Sequence, residues 1–432
     1  MMGELPRSAK ALVVVRVINQ LGAYVMSFLA VLAGADLAAL ALAVFGIAAL
    51  ASRWLGGVLL DRFAPRTLVV AGLTSTGAAL LVLAAAQGRA QVLGAVALVG
   101  LAFEIQEPAT QESLARADGR RGDIYGTLGT TLTAAGAIGG LLAAVLLPLG
   151  ARWLAVVDGA TCLLAAGVAL VFLEREPVRR IRAPDVRWRP SRHLLRLTAA
   201  GTAFACGYLA VLMYMPLLLL QRGAPAWLPG LTLTSVALLA PVTGLLGRRC
   251  LNALTPPRPD GVEQPRPDGA EVPRADGLER RRVDGVERPR ADGVERTRTD
   301  DVEHERVLAL GSGVLGVVAI VLAVARSVPL TVAAYLAWAV ADSVLQGRWQ
   351  AMIADVAPEA ERPRWFAFFG SSWGVAQPAV PGLVALAGGA MPVAGAAFLA
   401  APAFLRPARG RQRRKITAST RRESTEQITS PQ

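Results

Sequence analysis

Of the carboxylates inside the long apolar runs of this chain, three stand out: Glu104 and Glu107 in a run near 91–114, and Asp342 in one near 329–354. A charged group deep in a hydrocarbon layer is costly unless it faces water or a partner, so each is a functional candidate. A carboxyl that can shed its charge by taking a proton is what coupling to a proton gradient requires. Polar side chains at helical spacing extend the pattern: Arg16, Gln20 and Tyr24 in the first run, Gln111 after Glu107, Thr202 in the seventh, Gln346 after Asp342. Asp158, alone in the sixth run, reads as structural. Other chemistry has no visible equipment. His193 and His304 sit in polar stretches, and Cys162, Cys206 and Cys250 are scattered without C-x-x-C spacing. With no G-x-S-x-G, H-E-x-x-H or phosphate-binding loop, no enzyme, metal or cofactor is expected.

The elements that must position these residues follow from composition. The chain is 53% hydrophobic and only 18% charged, more apolar sequence than a soluble core absorbs. About twelve runs are long enough to cross a bilayer, near 11–33, 37–60, 67–87, 91–114, 124–148, 153–173, 194–220, 228–250, 307–325, 329–354, 365–388 and 390–405. The first contains Arg16, Asn19 and Gln20 and is too long for a signal peptide, so it reads as a span. Arginine is concentrated in alternate turns, as at Arg62 and Arg66, Arg116, Arg120 and Arg121, the stretch Arg175 to Arg192, and the tail from Arg411. Basic residues stay cytoplasmic, which predicts a multi-pass protein of the plasma membrane with both termini in the cytoplasm. The net charge of +13 is therefore a statement about orientation in lipid, and nucleic acid is not an expected partner.

Between the second and third runs stands Gly57-Val58-Leu59-Leu60-Asp61-Arg62-Phe63-Ala64-Pro65-Arg66. This G-x-L-x-D-R turn resembles the signature loop of the major facilitator superfamily of transporters. The resemblance implies an all-α integral membrane protein of about twelve helices in two six-helix pseudo-repeats. It also implies a conformational switch at Gly57, Asp61, Arg62 and Arg66, with Asp61 at the N-terminus of the eleventh helix, where negative charge is favoured. The first, fourth, seventh and tenth helices would line the central cavity. The family's usual Gly and basic residue are replaced by Ala64 and Pro65. The drug-exporter patterns R-x-x-Q-G and G-P-x-x-G-G are likewise altered, to Phe103-Glu104-Ile105-Gln106-Glu107 and Gly139-Gly140-Leu141-Leu142-Ala143-Ala144.

Internal repetition supports two halves. Gly129 and Gly140 are spaced in the fifth run as Gly370 and Pro381 are in the eleventh, and Gln106 falls on Gln346 at nearly the same offset. The expected organisation is a six-helix bundle over 1–173, a linker over 174–193, a second bundle over 194–406 and a tail over 407–432. The second bundle is interrupted at 251–305 by a charged loop in which Asp260, Asp268, Asp276, Asp284, Asp292 and Asp300 recur every eight residues. Each unit holds one small apolar residue among Gly, Pro and mixed charge, too little to form a core, so this loop reads as a disordered cytoplasmic linker.

The expected function is secondary transport by alternating access, as a monomer in the bilayer. The expected cargo is a small amphipathic organic compound, exported at the expense of a proton gradient through Glu104, Glu107 or Asp342. The rival readings are import of a metabolite by a symporter or uniporter, and a transport-inactive scaffold or sensor that uses the octad loop.

Overall fold

The computed structural model describes residues 7–116, 121–174, 188–254, 291–345, 347–358 and 361–405. All regular structure among them is helical, one of the two ways, with the closed barrel, in which a backbone satisfies its own hydrogen bonds where lipid offers no partner. The helices are α1 (Arg7–Leu21), α2 (Val25–Ala33), α3 (Ala38–Leu60), α4 (Pro65–Ala85), α5 (Gly88–Phe103), α6 (Gln106–Arg116), α7 (Arg121–Leu149) and α8 (Arg152–Phe172). They continue with α9 (Arg192–Gln221), α10 (Leu228–Leu254), α11 (Ala291–Val324), α12 (Val328–Leu345), α13 (Arg348–Val356), α14 (Arg362–Ala387) and α15 (Ala390–Leu405).

Nine helical stretches among the described residues are long and apolar enough to cross a membrane. Leu228–Gly244 of α10 is a shorter apolar helix, and α14 with α15 forms a pair bent by 117°. That sharp bend sits at Gly388, whose φ of 70° is accessible to glycine at little cost. The predicted runs are thus present, but the first, fourth and tenth are each two helices. In the fourth, Pro108 has no N–H to offer the Glu104 carbonyl, so α5 ends at Phe103 and α6 restarts at Gln106. In the tenth, Gly347 adopts φ 77° between α12 and α13.

The packing pairs of the first eight helices recur in the last seven. α4 lies on α8 as α11 lies on α15, α3 on α5 as α10 on α12, and α1 on α8 as α9 on α15. The two sets meet through α7 against α10, α3 against α14 and α2 against α9. The loop expected over 251–305 is shorter than predicted, because α10 continues to Leu254 and α11 begins at Ala291. Pro289 is the last proline before Pro329, so nothing interrupts the helix between them. The rest of that loop (255–290), most of the linker (175–187) and the tail from 406 lie outside the described residues.

Candidate functional site

Where the two sets of helices face each other they enclose a cavity of about 990 Å³. One wall, from α1, α2 and α7, carries Gln20, Tyr24, Ser27, Thr130 and Thr133 among Ala23, Phe28, Ala134 and glycines. The opposite wall, mostly from α10, carries Leu233, Val236, Ala237, Leu238, Ala240 and Pro241, with Tyr208 and Leu212 of α9 and Ser343 of α12. No described lining residue bears a formal charge. A wall that carries hydroxyls and an amide among small apolar residues, facing a mostly apolar wall, suits a ligand with both characters and no net requirement for an ion pair.

The cavity is sealed at the end away from the Gly57–Arg66 loop. There α7 and α10 touch backbone to backbone: a Cβ on Gly140 would lie 2.7 Å from the Thr234 nitrogen and 2.9 Å from the Gly230 carbonyl oxygen. Tyr24, Phe28, Ala143, Leu147 and Leu154 close the seal with Leu220 and Leu233. Toward the loop end the same helices part, since nothing lies within 4 Å of a Cβ at Gly129. The α3 and α14 pair behaves alike. A Cβ on Gly46 would meet the Pro378 Cα at 2.7 Å, whereas Gly57 and Gly370 have open space beside them. The molecule is therefore closed at one end and open at the end that carries the loop.

The loop residues fit that state. Asp61 is exposed at the C-terminal boundary of α3 and forms no ion pair among the described residues. Its expected seat at the start of α14 is not occupied in this conformation. Arg62 is exposed, and the Arg66 guanidinium donates to the Leu170 carbonyl oxygen of α8.

Of the six side chains expected to line the cavity, Gln20 and Tyr24 do. Arg16, Gln111 and Thr202 are not among its lining residues, and Gln346 lies outside the described residues. Arg16 and Gln111 instead converge on Glu107, donating to its two carboxylate oxygens at 2.7 and 2.8 Å. The Thr202 hydroxyl donates to the Thr198 carbonyl. The α5/α6 segment bypasses the cavity because it packs against α3 and α4 in the first set of helices.

Glu104 is buried at the α5/α6 break and held by Arg53 of α3, through Nη2 to Oε1 at 3.1 Å and Nε to Oε2 at 3.4 Å. The Glu104 N–H donates to the Ser52 hydroxyl at 3.0 Å. Arg53 stands inside an apolar run, apart from the arginines of the turns that mark orientation, and is not among the residues expected at the site. The signal was there: an arginine inside an apolar run demands a carboxylate on a neighbouring one. Asp342 differs. It is buried on α12 and forms no ion pair among the described residues, and the titratable groups facing it are the hydroxyls of Tyr208 and Tyr335. Tyr208 is also a cavity residue, set among Trp338 and Trp373 with ring centroids 5.4 and 5.2 Å away.

Solved structures with this architecture are transporters. A crystal structure of an auto-inhibited POT family peptide transporter superposes with a TM-score of 0.66 at 16% identity, over 92% of this chain and 96% of that one. A POT family transporter in complex with 5-aminolevulinic acid gives 0.66 at 11% identity, over 93% and 95%. A bacterial homologue of the human lysosomal transporter Spinster, inward-facing and unoccupied, gives 0.57 at 12%, over 92% and 94%. At such identities the likeness is one of fold. No curated protein matches the chain. The sequence profile of the Major Facilitator Superfamily matches residues 12–258, more than half of the chain. With its G-x-L-x-D-R loop, its recurring helix packing and its cavity between two sets of helices, the chain belongs to the Major Facilitator Superfamily, as a multi-pass membrane protein of the secondary transporter class.

Proposed function

We propose that this protein exports a small, uncharged or weakly charged amphipathic compound across the plasma membrane, in exchange for protons carried by Asp342. The observation that carries the reading is the two-faced cavity without a formal charge among its described lining residues. A zwitterionic peptide, the kind of cargo named for the POT structure, would leave both its ends without ionic partners there. An amphipathic compound satisfies both walls. Such compounds enter cells through lipid unaided, so what a protein adds is movement outward against a gradient.

The proton assignment rests on a contrast between the carboxylates. Glu104 and Glu107 are ion-paired with Arg53 and Arg16, whereas Asp342 forms no ion pair among the described residues, faces Tyr208 and Tyr335, and adjoins the cavity through Tyr208. A group that must alternate between charge states cannot be clamped by a permanent cation. The positive-inside pattern supports a cytoplasmic loop end and cytoplasmic termini, and with that orientation the described conformation is the one that loads cargo from inside. Alternating access then requires the sealed α7/α10 contact to open as the α3/α14 loop end closes. A monomer suffices for this cycle.

Transport of fluorescent amphipathic amines and neutral dyes into inverted vesicles, with and without an imposed proton gradient, tests the reading. Gradient-dependent accumulation that is lost in Asp342→Asn is the expected result. Accumulation only in right-side-out vesicles, or of charged peptides alone, would overturn it.

A further inference from the structure

A second, separate pocket lies wholly within the first set of helices, enclosed by α1, the α1/α2 break, α2, α4, the α5/α6 segment and α8. Its volume is about 40 Å³, room for an ion or a few waters and no organic cargo. Its polar lining is Asn19, Thr76, Gln106, Asp158 and Cys162, and the remainder is Ala23, Met26, Leu80 and Phe103. We propose that this pocket binds a dehydrated monovalent cation of about the size of sodium, through the Asp158 carboxylate, the side-chain carbonyl oxygens of Asn19 and Gln106, and the Thr76 hydroxyl oxygen.

Four observations converge on this site. The donor set is all oxygen with a single carboxylate, the composition that hard cations of low charge select. Gln106 is buried, 8% exposed, and its side-chain amide has no protein partner among the described residues while it lines the pocket. An amide in that position would cost free energy unless something in the pocket meets it. The Thr76 hydroxyl donates its proton to the Gly72 carbonyl at 2.8 Å, which leaves oxygen lone pairs as what it can present to a ligand. Last, the pocket adjoins the break between α1 and α2, and interrupted membrane helices bring half-helix ends to bound ions in transporters.

The position of Asp158 gives the ion a consequence. Its Oδ2 accepts from the Tyr24 N–H at 3.2 Å, and Cys162 Sγ lies 3.7 Å from Oδ1 and 3.3 Å from the Asn19 Oδ1. Tyr24 begins the second half of the broken span, and its side chain lines the large cavity and belongs to the seal. One residue thus touches the ion's carboxylate through its backbone and the cargo space through its ring. Cation occupancy fixes the geometry of the break and so biases the seal. This assignment is independent of the proton at Asp342.

Purified full-length protein in nanodiscs, held at constant ionic strength while NaCl replaces choline chloride, provides the test. Wild type should show a saturable rise in thermal unfolding temperature with sodium, and a much weaker one with potassium. Gln106→Leu, which removes an oxygen donor yet leaves the Tyr24 N–H bond to Asp158 in place, should raise the sodium midpoint at least about tenfold. Asp158→Asn should abolish the response, and Asp342→Asn should leave it intact while losing proton dependence. A wild-type protein indifferent to sodium over choline, or a sodium midpoint unchanged in Gln106→Leu, would show that the pocket holds water only and overturn the proposal.

Discussion

The seal between α7 and α10 depends on two positions without a side chain, and adding one carbon there should shift the balance between the two ends of the molecule. A Cβ on Gly230 would collide with the Ala144 backbone nitrogen and lie 2.6 Å from the Gly140 carbonyl oxygen; on Gly140 it would lie 2.7 Å from the Thr234 nitrogen. These are backbone atoms, so they cannot turn aside as a flexible side chain would. Overpacking of this kind costs about 1–3 kcal/mol in the state that makes the contact. The gain in helix propensity from Gly to Ala, about 1 kcal/mol, applies to both states and cancels. The net bias against the loop-end-open state is then roughly 5- to 150-fold in population. Spin labels at the exposed positions Leu149 and Trp227 would report the seal, and labels at Arg62 and Arg362 the loop end. In Gly140→Ala and Gly230→Ala the first distance should lengthen and the second shorten, while Gly167→Ala, which faces open space on α8, should change neither. Unchanged distance distributions in both variants would refute the idea that this contact is a gate between alternating states.

Other perturbations separate the roles assigned to the charged groups. Arg53→Ala should lower thermal stability by about 1–3 kcal/mol, less than for a fully buried pair because the Arg53 side chain is 44% exposed, and Arg53→Gln combined with Glu104→Gln should recover part of that loss in the same unfolding assay. Glu104→Gln alone should leave the pH dependence of transport in vesicles unchanged, whereas Asp342→Asn should flatten it. Deletion of residues 256–289, which lie between α10 and α11, should preserve transport; loss of transport in a correctly inserted variant would favour the scaffold reading.

Span positions were legible because lipid imposes a length and a polarity on each helical run, and a helix satisfies its backbone within the run itself. The breaks were harder to see. Gly347 and Pro108 are plain in the sequence, but isolated Gly and Pro are common in membrane helices, and only local geometry decides which of them interrupts one. Pro378, Pro381 and Pro402 lie inside continuous helices, while Pro108 ends one. The candidate site was legible in residue type more than in address. Gln20 and Tyr24 reach the cavity, but a helical stripe does not say whether it faces the cavity or a sister helix, and so Glu107 was expected at the cargo site and is found with Arg16 and Gln111. The apolar wall of α10 could not be read at all, because in a membrane protein an alanine or leucine facing cargo looks the same as one facing lipid.

The arrangement of the two halves explains why chemistry and cavity are divided so unequally. In the first set of helices Glu104 pairs with Arg53 and Glu107 with Arg16, where α5 and α6 pack against α3 and α4. In the second set Asp342 forms no ion pair among the described residues and faces Tyr208 and Tyr335, which is why the proposed cycle assigns the proton to it. The glycine contact between α7 and α10 joins them where the cavity ends, so a change at Asp342 need only alter the packing of α12 against α10 to reach the seal. The Thr243 and Ser343 hydroxyls, 2.7 Å apart, tie α10 to the residue next to Asp342, a hydrogen-bonded link between the helix that carries the carboxyl and the helix that carries the seal.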